Sequence, residues 1–187
     1  LANDYYLQGA DELTFLDVTA ASENRSTTLE MVTRCAEQVF IPLTVGGGIR
    51  SLADVTALLA AGADKISVGS AGVSNPELLR EISSAHGNQI LVISLDLKRG
   101  DSASGFVVTS HGGRKTTDLD GLAWVQQVQN LGAGELLVNS IDADGTQDGF
   151  DLELIELIKR QSSVPVIASG GAGSLEHFVE AAQAGAD

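Results

Sequence analysis

The chain repeats itself over a long interval. Gly9-Ala-Asp-Glu-Leu13 returns as Gly132-Ala-Gly-Glu-Leu136, and Pro42-Leu-Thr-Val-Gly-Gly-Gly48 returns as Pro165-Val-Ile-Ala-Ser-Gly-Gly171, each pair 123 residues apart. The second match runs on without a gap, aligning Ser51-Leu52 with Ser174-Leu175 and Ala61-Gly-Ala-Asp64 with Ala184-Gly-Ala-Asp187. A repeat of this length holds several secondary elements, so it marks a duplicated half of a fold rather than a short solenoid unit.

Strand-like and helix-like segments alternate between these landmarks, the signature of parallel α/β architecture. Six strands are expected: Glu12–Val18, Phe40–Val45, Lys65–Val68, Gln89–Leu97, Glu135–Ile141 and Val164–Ser169. They are mostly unbroken Val, Ile and Leu runs, as strands covered on both faces require. Four βα units doubled make eight, the number that closes a parallel barrel around packed side chains. The expected fold is therefore α/β, a (βα)8 TIM barrel of duplicated half-barrels, read as a single partial domain over residues 1–187. In the first copy, the segment matching the end of the second runs on into Lys65–Val68, and the opening Tyr5–Gly9 matches a helix tail. One strand is thus expected before residue 1 and one after residue 187.

Helix ends are marked by the usual chemistry. Ser51 is expected to cap a helix carrying Leu52, Val55, Leu58 and Leu59 and closed by Gly62. Asn75-Pro76 is expected to open the helix of Leu78, Leu79 and Ile82, because proline in the first turn gives up a donor that has no partner there anyway; Gly87 ends it. Between the fourth strand and the next helix, Gly100 to Thr117 reads as an insert forming a small hairpin or a mobile loop, and inserts of this length usually have a job.

Charge narrows the chemistry. Eleven basic residues against 25 acidic ones give a net charge of −14, which argues against nucleic acid or an acidic membrane surface as a partner. An anionic ligand would have to be held by backbone N–H groups rather than by a lysine or arginine cluster. Apolar stretches are strand-sized, far from the roughly 20 residues of a membrane-spanning helix, and no basic, then apolar, leader pattern is visible. The expected location is the cytoplasm. Cys35 has no partner for an internal disulfide and reads as an inert core thiol on an apolar helical face. His86, His111 and His177 show no metal-ligand spacing, so no metal is expected, and no organic cofactor is implied.

In a barrel of this kind the active site lies at the C-terminal ends of the strands. Three glycine-rich turns follow strands and precede helices there: Gly46-Gly47-Gly48, Asp144-Gly145 and Gly170-Gly171. Singly each is ordinary punctuation. Two of them, Gly46-Gly47-Gly48 and Gly170-Gly171, are related by the repeat, and they suggest two phosphate sites on opposite sides of the barrel mouth, spanned by a ligand with a phosphate at each end. Asp96 closes the apolar run Ile90–Leu95, a position suited to general acid–base work, although a surface or capping aspartate would look the same. Its repeat partner would fall before residue 1. Asp17, Asn139 and Ser169 end other strands, and Asp142 follows Asn139; substrate contact and loop capping explain them equally well. Glu12, Lys65 and Glu135 start strands, where a stabilising ionic ring is the ordinary reading.

The runs Ala10-Asp-Glu-Leu-Thr-Phe-Leu-Asp-Val-Thr19, Phe40-Ile-Pro-Leu-Thr-Val-Gly-Gly-Gly-Ile49, Ser140-Ile-Asp-Ala-Asp-Gly-Thr146 and Ala168-Ser-Gly-Gly-Ala-Gly173 resemble the cyclase subunit of imidazole glycerol phosphate synthase, in the histidine-biosynthesis family, along essentially the whole chain. The resemblance implies that Asp96 is one of two catalytic aspartates. It implies one phosphate site at Gly48, Gly69 and Ser70 and another at Asp144, Gly145 and Gly171. Asp17, Asn139 and Ser169 become candidate substrate contacts, and Glu12, Lys65 and Glu135 three members of a gate for ammonia. It further implies a glutamine amidotransferase subunit as heterodimeric partner, ammonia and a bisphosphate as substrates, and a lyase-type cyclisation. Gly69 stands where the family usually has Asn, and Asn139 where Thr is common. The sister phosphoribosyl-formimino isomerase of the same pathway shares the duplicated barrel and stays open as an alternative, as does a non-catalytic phosphate-binding fragment.

Overall fold

The computed structural model describes residues 1–17 and 29–187, which group into two compact units, Leu1–Val92 and Ile93–Asp187. The first unit contains α1 (Ala2–Leu7), β1 (Leu13–Leu16), α2 (Leu29–Ala36), β2 (Leu43–Gly46), α3 (Leu52–Ala60), β3 (Lys65–Val68), the short α4 (Ser70–Ser74) and α5 (Glu77–His86). β4 (Leu91–Arg99) starts at the end of that unit and runs into the second, which adds β5 (Phe106–Ser110), β6 (Lys115–Asp120), α6 (Gly121–Asn130), β7 (Glu135–Ser140), α7 (Leu152–Lys159), β8 (Val166–Ser169) and α8 (Leu175–Gln183). The architecture is α/β, an incomplete (βα)8 barrel whose six barrel-type strands are β1 to β4, β7 and β8.

The repeat survives into individual hydrogen bonds. β1 pairs with β2 in parallel, Leu13 opposite Leu43 through Leu16 opposite Gly46, and β7 pairs with β8 in the same register shifted by the repeat, Leu136 opposite Val166 through Asn139 opposite Ser169. The amide of Leu13 donates to Pro42 O and that of Leu136 to Pro165 O, both at 2.9 Å. Leu43 N–H donates to the Asp64 carboxylate at 2.9 Å, and Val166 N–H to the Asp187 carboxylate at 2.9 Å. Two copies of one sequence pattern thus give two copies of one βαβ geometry.

Each unit has its own core. Val45, Val55, Ile66, Leu79 and Ile82 are fully buried in the first, and Leu95, Leu97, Val125, Val128, Leu136 and Ile158 in the second. Each such side chain is worth about 1.5–3 kcal/mol on burial. Ser51 caps α3 as expected: its hydroxyl accepts from Asp54 N–H at 3.2 Å while the Asp54 carboxylate accepts from Ser51 N–H at 3.0 Å, a capping box. The first turn of α5 opens at Asn75-Pro76, with Leu78 N–H donating to Asn75 O at 3.2 Å, and Gly87 ends it with φ 88°.

Several strand limits differ from expectation. β2 starts at Leu43 rather than Phe40; Pro42 has no N–H to offer a ladder, and Phe40 lies 81% exposed with its ring edge on Tyr6, centroids 6.1 Å apart. β8 likewise waits until after Pro165. β4 begins after a 3-10 turn, Asn88–Ile90, and runs two residues past Leu97 because β5 pairs antiparallel with its end, Leu97 opposite Val108 and Arg99 opposite Phe106. The insert is an ordered β5–β6 hairpin. Cys35 is part-buried on α2, whose fully buried residue is Val32, so it is not a core thiol. The Val18 end of the first expected strand lies outside the described residues.

Candidate active site

The second unit gathers most of the expected site residues. Asp96 lies between Leu95 and Leu97, both fully buried, so the alternation of the strand turns its side chain to the opposite face. It does not end the strand: the β5 pairing continues β4 beyond it, and Thr109 Oγ1 donates to the Asp96 carbonyl at 2.9 Å. The carboxylate is therefore mounted on a rigid element. Asn139 Nδ2 donates to Asp96 Oδ1 at 3.2 Å, while Asn139 Oδ1 is buried without a hydrogen-bond partner. Burial pushes the Asp96 pKa above 3.8, the Asn139 amide opposes that rise, and the nearby Asp144 charge adds to it. Such a carboxyl holds its proton further toward neutrality, the condition for both donating and accepting in one cycle.

Around Asp96 the loop after β7 folds against the turn after β8. Gly171 has φ 104°, and a methyl group there would stand 2.0 Å from the Gly149 carbonyl oxygen. Gly149 N–H donates to Gly171 O at 2.8 Å, and Asp144 N–H to Ser140 O at 2.9 Å. A Cβ on Gly170 would be 2.7 Å from Asn139 Oδ1 and 3.2 Å from Asp144 Cα. The Asp144 segment and Gly171, expected together from sequence, thus meet in one small cradle, with Asn139 and Ser169 paired at its floor and Gly145 following Asp144 in open space. Asp142 takes the capping role: its carboxylate accepts from Arg99 N–H at 2.7 Å, tying the hairpin base to the loop.

In the first unit the matching turn leaves β2. Gly47 has φ 98° and sits so close to Asp17 that a Cβ would lie 2.2 Å from its carbonyl oxygen, while Asp17 N–H donates to Gly46 O at 2.9 Å. Gly46 lies opposite Ser67 across β2 and β3, so the turns bearing Gly48 and Gly69-Ser70 leave neighbouring strands side by side. At the other ends of these strands Lys65 Nζ reaches both Glu12 carboxylate oxygens at 3.0 Å. Glu135 starts β7 in the second unit.

Three features escape sequence reasoning. Asn139 is the hydrogen-bond partner of Asp96, 43 residues away. Asp151, 10% exposed, accepts from Ser140 Oγ at 3.3 Å and from Leu154 N–H at 3.1 Å, joining β7 to α7. His177 caps α8 from the position that Asp54 holds in the first copy, and the repeat was the signal that could have found it. A cavity of about 520 Å³ opens beside the β7 loop, but Asp142, Asp148, Asp151 and Glu153 line it with Arg99, a poor surface for a bisphosphate. Among the described residues no cluster of three or more His, Cys, Asp and Glu side chains is arranged to hold a metal ion, and no helix is long and apolar enough to cross a membrane.

The family described as histidine biosynthesis protein matches residues 1–187. An imidazole glycerol phosphate synthase subunit HisF from Clavibacter michiganensis subsp. michiganensis is 63% identical over 187 residues, covering all of this chain and 71% of the relative. Relatives of the same name from Nocardioides sp. and Thermobifida fusca are 58% and 59% identical, each covering the whole chain and 75% of their own length. From this agreement of repeat, register and relatives, the chain belongs to the histidine biosynthesis protein family and, within it, groups with the HisF subunits of imidazole glycerol phosphate synthase.

Proposed function

We propose that the chain carries the ring-closing step of imidazole glycerol phosphate synthesis. Ammonia attacks a bisphosphorylated ribulosyl-formimino carboxamide ribonucleotide, which is split into imidazole glycerol phosphate and aminoimidazole carboxamide ribonucleotide with loss of water, a lyase-type cyclisation. The observation that carries this reading is Asp96, half-buried on β4, held by Asn139 and raised in pKa, beside a cradle of backbone built by Gly171 and the Asp144 segment. Asp96 shuttles protons during cleavage and closure. One phosphate lies on that cradle and the other on the turns of Gly48, Gly69 and Ser70, with backbone amides supplying the positive ends. This suits a chain of net charge −14.

Asp17 in the first unit, and Asn139 and Ser169 in the second, are the candidate contacts to substrate hydroxyls. Glu12, Lys65 and Glu135, at the strand starts, admit ammonia from a glutamine amidotransferase subunit. Support for a partner is the word "subunit" in the names of the relatives, and the same names favour cyclisation over the sister isomerisation. The test is ammonia-dependent turnover of the bisphosphate by the full-length gene product and its Asp96→Asn variant. Turnover lost by at least about a thousandfold in the variant, on the scale expected when an acid–base group and its charge are removed, supports the reading. Equal turnover removes Asp96 from the mechanism.

A further inference from the structure

We infer that His177 is a positioning residue for the phosphate at the β8–α8 turn, placed there because its imidazole caps the helix without bringing a negative charge to the anion. The inference rests on the reading of that turn as a phosphate site.

The two halves make the same cap with different chemistry. In the first, Asp54 Oδ2 accepts from Arg50 N–H at 2.9 Å and from Ser51 N–H at 3.0 Å. In the second, at positions related by the repeat, His177 Nδ1 accepts from Gly173 N–H at 3.0 Å and from Ser174 N–H at 3.3 Å. Nδ1 accepts these bonds through its ring lone pair, and an imidazole brings no negative charge with it. The acceptor position is shared and the charge is not.

The surroundings explain the exchange. In the first half the residue that donates its backbone N–H to the Asp54 carboxylate is Arg50, itself a basic residue. Its counterpart is Gly173, where a Cβ would stand 2.1 Å from the Gln147 carbonyl oxygen, so no compensating side chain fits. Glu176 on the helix and Asp144 and Asp148 of the facing loop already make this rim acidic. The ring also stands beside Gly149, where a Cβ would lie 3.6 Å from its Cδ2, and Gly149 N–H holds the Gly171 carbonyl at 2.8 Å. His177 therefore bonds one arm of the cradle and flanks the other, and a carboxylate in its place would face a phosphate uncompensated.

The full-length enzyme tests this with His177→Asp, which copies the Asp54 cap, and His177→Asn, which keeps a neutral acceptor. His177→Asp is expected to fold with an unchanged melting temperature, to raise KM for the bisphosphate and the inhibition constant of inorganic phosphate about tenfold, and to leave kcat within about twofold; the KM defect shrinks at high salt. His177→Asn keeps KM within about twofold of the parent, as expected when the cap survives without added charge. Equal KM changes in the two variants, a defect in kcat alone, a salt-independent defect or failure of His177→Asp to fold each overturn the inference. Gly171→Ala separates this from the site reading. If it binds phosphate normally, the turn is not the phosphate site; if it loses phosphate while the two His177 variants behave alike, only the role of His177 falls.

Discussion

Replacing Asp96 by Asn is expected to make the protein more stable while abolishing turnover. The charged form of Asp96 carries a cost, because burial and Asp144 disfavour its charge while one Asn139 hydrogen bond supports it. The amide removes that charge. It also offers a donor to Asn139 Oδ1, which is buried and unpaired, so two facing amides replace one strained half-pair. A made hydrogen bond contributes about 0.5–1.5 kcal/mol and an unsatisfied buried acceptor costs about 1–3 kcal/mol. A net gain of about 1–2 kcal/mol fits what relief of an active-site charge commonly yields, or about 3–6 °C in melting temperature for a chain of this size. The pH dependence discriminates the cause. The folded-state pKa lies above 3.8, so the penalty is present above the raised value and disappears as pH falls below the unfolded one. Thermal melts of both proteins from pH 7.5 down to pH 3.5 should show the variant's advantage closing as the wild-type carboxyl takes up its proton. A destabilised variant, or a gain that does not change with pH, refutes the reasoning.

Other outcomes follow from the same contacts. Asn139→Leu removes the interaction that lowers the Asp96 pKa, so the acidic limb of the kcat/KM–pH profile should move upward; an unmoved limb means that Asp96 does not set it. Burial opposes ionisation of Asp120, yet hydrogen bonds from Ala123, Ser104 and Ser102 hold its pKa down to about 2. Its contribution is complete above pH about 3.8 and drains away toward pH 2. Asp120→Ala should cost about 1–2 kcal/mol at pH 7 in urea melts and lose that stretch of acid sensitivity. Lys65→Met breaks the two-oxygen contact with Glu12 and should cost about 1 kcal/mol, with Glu12→Gln in the same chain recovering part of the loss.

How much of this was readable depends on how local each determinant is. The repeat carried the β1–β2 and β7–β8 registers, because matched strands bounded by matched glycines and prolines leave one alignment. Ser51 before an apolar-periodic run announces its cap, while the reciprocal bond to Asp54 emerges with the fold. The hairpin was ambiguous, since the extension of β4 to Arg99 depends on a pairing with Phe106 across a loop. Asp96 was singled out as a lone carboxylate at the end of an apolar run, but its partner Asn139 is brought in by the fold alone. Asp142 looked equally suited to substrate or backbone, and the backbone claimed it. His177 was dismissed for want of metal spacing, although its place opposite Asp54 in the repeat was open to inspection.

The aspartates that receive the first amides of β2 and β8 have a consequence for strand alignment during folding. Each bridges 21 residues, Leu43 to Asp64 and Val166 to Asp187, a loop short enough to close at little entropic cost. Each aspartate also donates its own amide back to the strand, to Leu43 O and to Val166 O at 2.9 Å. A one-residue slip would break both bonds and turn every inward side chain outward. The chain therefore carries, twice, a pair of reciprocal bonds that penalises any shift of a strand's frame.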